Sequence, residues 1–295
     1  MNSIKIMHGW TYDGLNLQAI YWESGKKDTC IVCTHGMSGN IIENYFAEIL
    51  GEELSKKNYA FIYGHNRGYN HINDIKTSID SKDGGNETKR YGTTYERFEE
   101  CIFDIDLWVN KAKELGYKSI ILMGHSLGCN KIIHYLSKKK CEGITKVILA
   151  SPPDMVGLAK LKKYQPNYLQ LLKEAKKNVS KKQPRKILST TLWNWYNLSS
   201  QTFLDLFEDN CPADNLPLLR LPTSFCELSH INIPIFAILG EHDDIIIRSL
   251  DKDLNTIKMK AINCPNFKSV VLKGANHVYG NKERELSQLL LKWLK

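Results

Sequence analysis

The chain has 295 residues, of which 42% are hydrophobic and 24% are charged, and its formal net charge is +8. This is the composition of an ordinary globular protein, with room for one core or for one core and a smaller appended unit. No apolar run approaches the length of a membrane-spanning helix and the N-terminal residues show no export signal, so we expect a cytoplasmic protein without membrane insertion. The eight cysteines do not suggest a disulfide framework in a chain of this length. Cys30 and Cys33 lie in one predicted strand, where they would point to opposite faces and could not hold one metal ion together.

Strand and helix patterns alternate along most of the chain. Residues 15–22 alternate in polarity after a turn at Asp13-Gly14 and predict an early antiparallel strand. Continuous apolar runs predict buried strands, and apolar residues at helical spacing predict helices. These strands are expected at 29–35, 59–63, 119–123, 146–150, 233–239 and 268–272, and the helices at 41–57, 95–115, 127–137 and 282–295. A polar loop is expected from 64 to about 94. The alternation predicts an α/β fold with a mostly parallel, doubly wound sheet and helices on both faces.

Residues 154–230 interrupt this alternation and are interpreted as a helical insertion, or cap, on a core formed by residues 1–153 and 231–295. The first half of the insertion, residues 155–190, contains ten basic residues and one acidic residue, Glu174. This segment could be a solvated surface, could attract an anionic small substrate, or could dock an acidic carrier protein; nucleic-acid binding is disfavoured. The second half is aromatic and could form either the wall of an apolar pocket or plain core.

Ser126 is the candidate nucleophile. It lies in Gly124-His125-Ser126-Leu127-Gly128, between a predicted strand and a predicted helix. A serine on such a sharp turn presents its hydroxyl outward, and small residues two before and two after it let strand and helix pack closely. At the carboxyl end of a parallel strand, this is where reacting groups collect.

A serine needs a base, and the base needs an orienting carboxylate. His277 follows the last predicted strand and Asp243 follows the strand before it. The order Ser126, Asp243, His277 is the one that this architecture requires. Asp244 and Glu241 are the alternatives for the acid, and His242 and His125 are the less favoured alternatives for the base.

Two backbone N–H groups would hold the oxyanion that forms when the serine attacks a carbonyl. Leu127, the residue after the nucleophile, supplies one candidate. Met37 supplies the other, in a glycine-containing loop that directly follows the strand at 29–35. A plain tight turn is the alternative interpretation of that loop.

With these motifs the chain resembles serine hydrolases of the α/β-hydrolase superfamily. The resemblance spans residues 30–280 and implies an eight-stranded, mostly parallel sheet, a Ser-Asp-His triad, no cofactor, and a cap after the sixth strand. Its motifs are His35-Gly36-Met37, Asn66-Arg67-Gly68, Gly124–Gly128, Gly240–Asp243 and Gly274–His277. A weaker resemblance, through "HGMSGN", "YGTTYERFEE" and "GHSLGCNK", is to a branch containing siderophore-ester hydrolases. Asn276 departs from the superfamily, which often has glycine before the histidine.

The expected activity is therefore hydrolysis of a carboxylic ester or thioester of a small molecule through an acyl-enzyme on Ser126. An acyltransferase, a carrier-protein thioesterase and a slow-turnover binding protein would carry the same residues. No metal site is expected, and neither the natural substrate nor the oligomeric state follows from the sequence.

Overall fold

The fold is built around one eight-stranded sheet. A computed structural model describes residues 3–80, 86–139, 142–220, 225–246 and 248–295. The strands are β1 (Ile4–Trp10), β2 (Asn16–Trp22), β3 (Thr29–Thr34), β4 (Tyr59–Gly64), β5 (Asn73–Asp80), β6 (Asn86–Tyr91), β7 (Ser119–His125), β8 (Ile144–Ala150), β9 (Ile235–His242) and β10 (Phe267–Asn276). The helices are α1 (Phe46–Ser55), α2 (Cys101–Glu114), α3 (Leu127–Lys138), α4 (Met155–Lys160), α5 (Tyr168–Ser180), α6 (Ser200–Phe207), α7 (Cys226–Ser229), α8 (Leu250–Lys260) and α9 (Glu283–Leu294).

The strand order is β1-β2-β4-β3-β7-β8-β9-β10. β2 pairs antiparallel with both β1 and β4, and every other pairing in this sheet is parallel. The predicted mostly parallel sheet is therefore confirmed, as is the early antiparallel strand. Because the parallel strands all end at one edge, the loops after β3, β7, β9 and β10 are brought together there.

Helices cover both faces of the sheet, as predicted. α2, α3 and α8 pack on one face through Trp108, Ile132 and Ile257, and α1 and α9 pack on the other through Leu50 and Leu290. Successive strand residues alternate between the two cores, which is why the central strands are apolar throughout. Cys30 accordingly faces one core and Cys33 the other.

We call the helical segment between β8 and β9, the sixth and seventh strands of the sheet in chain order, the cap. It contains α4 to α7 and has its own apolar core, in which Phe203 and Phe207 are fully buried. This core also includes Leu127 from the start of α3. The cap is therefore packed directly against the loop edge of the sheet.

Several boundaries differ from the predictions. Residues 64–94, expected as a loop, contain the antiparallel hairpin β5–β6; residues 81–85 of that stretch lie outside the described residues. The helix expected at 95–115 begins at Cys101, after a 3₁₀ turn at Phe98–Glu100. The helix expected at 41–57 begins at Phe46, because the Asn40 side chain accepts the N–H groups of Ile42 and Glu43 in a preceding turn.

β1 and α8 were not predicted. β1 is an edge strand with mostly exposed residues, so it lacks a buried apolar run. Within the described ranges, no helix combines the length and the hydrophobicity that crossing a membrane requires.

Candidate active site

Ser126 lies between β7 and α3 in a backbone conformation that serine rarely adopts, with φ +55° and ψ −130°. Its N–H donates to the carbonyl of Ala150 at 2.9 Å. A Cβ at Gly128 would come within 2.2 Å of the Thr34 oxygen, and one at Gly124 within 2.5 Å of the Gly128 oxygen. The two glycines therefore let the strand, the turn and the helix approach closely enough to hold the serine in this conformation.

His277 and Asp243 meet at the ends of β10 and β9. The Nδ1 atom of His277 lies 2.9 Å from the Oδ1 atom of Asp243. The Asp243 side chain is fully buried, whereas that of His277 remains 18% exposed. Burial opposes ionisation of Asp243, but the hydrogen bond and charge of His277 outweigh it, so the pKa of this carboxyl lies below its ordinary value. Since Nδ1 is engaged by Asp243, Nε2 is the ring nitrogen left to act on another group.

Hydrogen bonds from two buried residues hold the loop that carries His277. The His277 carbonyl accepts hydrogen bonds from the His125 ring at 2.8 Å and from the Ser151 hydroxyl at 3.2 Å. Burial lowers the pKa of His125 to about 3, so its ring is neutral at ordinary pH and donates through Nε2. Sequence reasoning missed this role of His125 and Ser151, because the contact joins residues that are far apart in the chain.

The alternatives for the acid, and His242 as an alternative for the base, have other partners or positions. Glu241 accepts the N–H of Gly274 at 2.8 Å and so links β9 to β10. His242 is exposed, and its Nε2 atom lies 3.8 Å from Glu241. Asp244 is exposed beside the buried pair. One possible ligand atom from each of Asp243, Asp244 and His277 lies within 4.8 Å of the others, so a metal ion there would compete with the Asp243–His277 hydrogen bond.

The loop after β3 lies directly against Ser126. A Cβ at Gly36 would be 2.7 Å from the Ser126 Cβ and 3.1 Å from its Oγ. His35 holds this loop: its Nδ1 lies 2.9 Å from the Gly36 carbonyl, and its Nε2 accepts the N–H of Asn66 at 3.1 Å. Among the described residues, the N–H groups of Met37 and Leu127 have no hydrogen-bond acceptor, so both are available to a ligand.

A fully buried ion pair stands behind this loop. Lys131 on α3 donates to Glu96 at 2.5 Å and to the Asn66 side chain at 3.0 Å. Asn66 in turn donates to the His35 carbonyl at 3.0 Å. Sequence reasoning missed this network, although Lys131 does stand among apolar residues of α3, which is an unusual place for a lysine.

Ser126 and His277 open into one cavity of about 270 Å³, which Met37 also lines. The cap contributes the side chains of Met155, Leu158, Trp193 and Tyr196 to its wall. A second cavity of about 200 Å³ adjoins the first and shares Leu158, Trp193 and Ile245 with it. Of the aromatic residues in the cap, Trp193 and Tyr196 therefore form pocket wall, whereas Phe203 and Phe207 are core.

The comparisons with known proteins fit this architecture. A family model described as "Protein of unknown function (DUF1749)" matches residues 94–294, about two thirds of the chain. The chain belongs to this family. The matched part includes Ser126, Asp243 and His277, while Met37 precedes it. No curated protein matches the sequence.

Solved structures establish that this DUF1749 chain has the α/β-hydrolase fold. It is similar to the esterase Pf2001 of Pyrococcus furiosus, with 17% identity and a TM-score of 0.59 over 99% of this chain and 91% of the other. The carboxylesterase CesB of Bacillus subtilis has 14% identity and a TM-score of 0.59 over 99% and 92%. Est1E of Butyrivibrio proteoclasticus, solved with ferulic acid bound, has 16% identity and a TM-score of 0.64 over 98% and 97%.

Proposed function

We propose that this protein is a serine hydrolase that cleaves a carboxylic ester of a small molecule through an acyl-enzyme on Ser126. One observation carries the proposal: Ser126, held at positive φ, shares a cavity with His277, and the Nδ1 atom of His277 is hydrogen-bonded to the buried Asp243. The esterase names of the structural neighbours add support. Residues 154–230 are proposed as the cap, and residues 1–153 and 231–295 as the core.

Each step assigns a task to a residue of this site. Ser126 Oγ attacks the ester carbonyl while His277 Nε2 takes the hydroxyl proton, and Asp243 orients and stabilises the resulting imidazolium. The N–H groups of Met37 and Leu127 bind the oxyanion. His277 then gives the proton to the departing alcohol, which leaves an acyl group on Ser126. Water, deprotonated by His277, attacks this acyl group and releases a carboxylic acid and free Ser126.

The test is to replace Ser126 by alanine and measure the hydrolysis of short p-nitrophenyl esters. We expect kcat to fall by about 10³-fold or more with the melting temperature retained, because alanine cannot form the acyl-enzyme. Ser137→Ala is the matched control, since this serine lies on α3 and its hydroxyl donates to the backbone carbonyl of His134. A Ser126→Ala protein that keeps half of the wild-type rate would refute the proposal.

Thioester cleavage and acyl transfer to another acceptor would use the same residues. A thioester with the same acyl group tests the first, and the partition of products with added alcohol or amine tests the second. A slow-turnover binding protein would be labelled at Ser126 by a fluorophosphonate but would show a negligible steady-state rate.

A further inference from the structure

The walls of the two adjoining cavities are mostly apolar. Among the described residues that line them, Asp244 is the one carboxylate, and lysine and arginine are absent. His125 is neutral because burial lowers its pKa to about 3. A carboxylate or phosphate placed in these cavities would therefore meet the Asp244 carboxylate and neither a lysine nor an arginine among the described lining residues.

Three basic residues of the cap contact residues that do not line the two cavities. Lys160 pairs with Asp209, Lys176 pairs with Glu208, and the Arg185 guanidinium lies 4.4 Å from the centre of the Tyr95 ring. Lys163 contacts a lining residue, since its Nζ is 5.3 Å from the centre of the Tyr164 ring, and Tyr164 lines the second cavity. Lys163 itself is exposed and does not line either cavity.

Trp193 is held over the first cavity by a strained turn. Trp193 and Asn194 have φ of +54° and +57°, in a turn closed by hydrogen bonds between Leu192 and Tyr196. Bulky residues rarely adopt this backbone conformation, and it persists where the surroundings enforce it. Here Gln165 accepts the Trp193 N–H at 2.6 Å, and the Trp193 ring packs edge-on against Phe207. The turn places the Trp193 ring in the wall that the two cavities share.

From this placement we infer that the two adjoining cavities above Ser126 bind an uncharged apolar group of the substrate, with Trp193 as their shared wall and Asp244, which lines the second cavity, as the charge that disfavours anions. The inference rests on the proposed function, whose substrate class it narrows. It also excludes one of the three interpretations of the basic segment, the attraction of an anionic small substrate into this site.

The test compares p-nitrophenyl hexanoate with p-nitrophenyl hydrogen adipate, which has the same chain length and a distal carboxylate. We expect kcat/KM to be at least about tenfold higher for hexanoate at low salt. Asp244→Asn should raise the adipate-to-hexanoate ratio by about 3- to 10-fold, since it removes the repelling charge. Lys163→Gln should leave this ratio unchanged. Adipate hydrolysed as fast as hexanoate, or an adipate rate that falls with Lys163→Gln, would overturn the inference.

Trp193→Ala should raise KM for hexanoate more than it lowers kcat, because the wall contacts the bound group in both the ground state and the transition state. Trp195→Ala is the matched control. This tryptophan occupies the same turn but is 65% exposed and lies against His71 outside the cavities. Equal effects of the two substitutions would refute the role of Trp193.

Binding to the Ser126→Ala protein separates this inference from the proposed function. Tryptophan fluorescence would report the binding of methyl hexanoate and of monomethyl adipate without any turnover. Preference for the neutral ester supports the inference even if the wild-type protein hydrolyses neither ester, in which case the proposed function fails alone. Preference for the adipate, or binding of neither ester, overturns the inference even if esters are hydrolysed.

Discussion

Replacing Lys131 by methionine should strongly destabilise the protein. Both partners of the Lys131–Glu96 pair are almost completely buried, with 0% and 1% of their side chains exposed. Removing the lysine leaves the Glu96 carboxylate without its counter-ion and the Asn66 oxygen without one of its donors. Breaking a buried pair in this way costs about 3–5 kcal/mol in the free energy of unfolding. That is a large part of the total stability of about 5–15 kcal/mol that is typical of native proteins.

Urea denaturation of a double-mutant cycle would measure this cost. Glu96→Gln combined with Lys131→Met should restore most of the loss, because no uncompensated charge then remains buried. Lys138→Met on the same helix is the control; this lysine is 54% exposed, and its ion pair with Glu227 should contribute about 1 kcal/mol or less. The reasoning is refuted if Lys131→Met costs no more than Lys138→Met, or if the double variant is as unstable as the sum of the single variants.

The loss should also depend on pH. Burial raises the pKa of Glu96, and Lys131 opposes that rise. Without the lysine the pKa of Glu96 in the folded state rises further above that of the unfolded chain, so the folded protein binds the extra proton. The protonated Glu96 carboxyl stabilises the folded protein at low pH, and this contribution is lost as the pH rises. We therefore expect Lys131→Met to lower the free energy of unfolding more at pH 8 than at pH 5.

Two further changes test the loop edge of the sheet. Gly128→Ala should destabilise the fold by about 1–3 kcal/mol and abolish ester hydrolysis, because its Cβ would meet the Thr34 oxygen at 2.2 Å. Thermal melts against Gly25→Ala, whose Cβ would meet only a side-chain atom at 3.3 Å, would check this, and equal melting temperatures would contradict it. His65→Gln should flatten the loss of stability in acid, since burial lowers the pKa of His65 to about 4. Its neutral form stabilises the fold above about pH 6.5, and this contribution, about 3 kcal/mol, is lost as the pH falls towards 4. Urea titrations at pH 7 and pH 4.5 would show the same decrease in both proteins if this is wrong.

The sequence predicts those parts of the fold whose signal is local. Residues 30–33, 120–123 and 147–150 are apolar and buried without a break, as in strands covered on both faces, so they identify β3, β7 and β8. The hairpin β5–β6 lies outside the main sheet and its residues are mostly polar, so its pattern resembles a loop. β1 lies at the edge of the main sheet and its residues are mostly exposed, so it also lacks the buried apolar run that predicts a strand.

The same distinction applies to the candidate site. Ser126, Asp243 and His277 each follow a strand that the sequence predicts, and in the structure the Asp243 carboxylate lies 2.9 Å from the His277 ring. The network of Lys131, Glu96 and Asn66 joins residues at sequence separations of 35 and 65. Pairing over such separations exists only once the sheet has formed, and a single lysine in a helix otherwise indicates solvent exposure.

The candidate site contains two strained turns, one in the core at Ser126 and one in the cap at Trp193. Ser126 is held at positive φ by close backbone packing within the core, whereas Trp193 is held at positive φ by Gln165 and Phe207, both in the cap. Because the two turns have separate supports, a change at Gln165 should relax Trp193 without moving Ser126. We therefore expect Gln165→Ala to alter the choice between hexanoate and adipate while fluorophosphonate labelling of Ser126 keeps its rate. Loss of both together would show that cap and core act as one unit, and the separation of selectivity from chemistry would then be wrong.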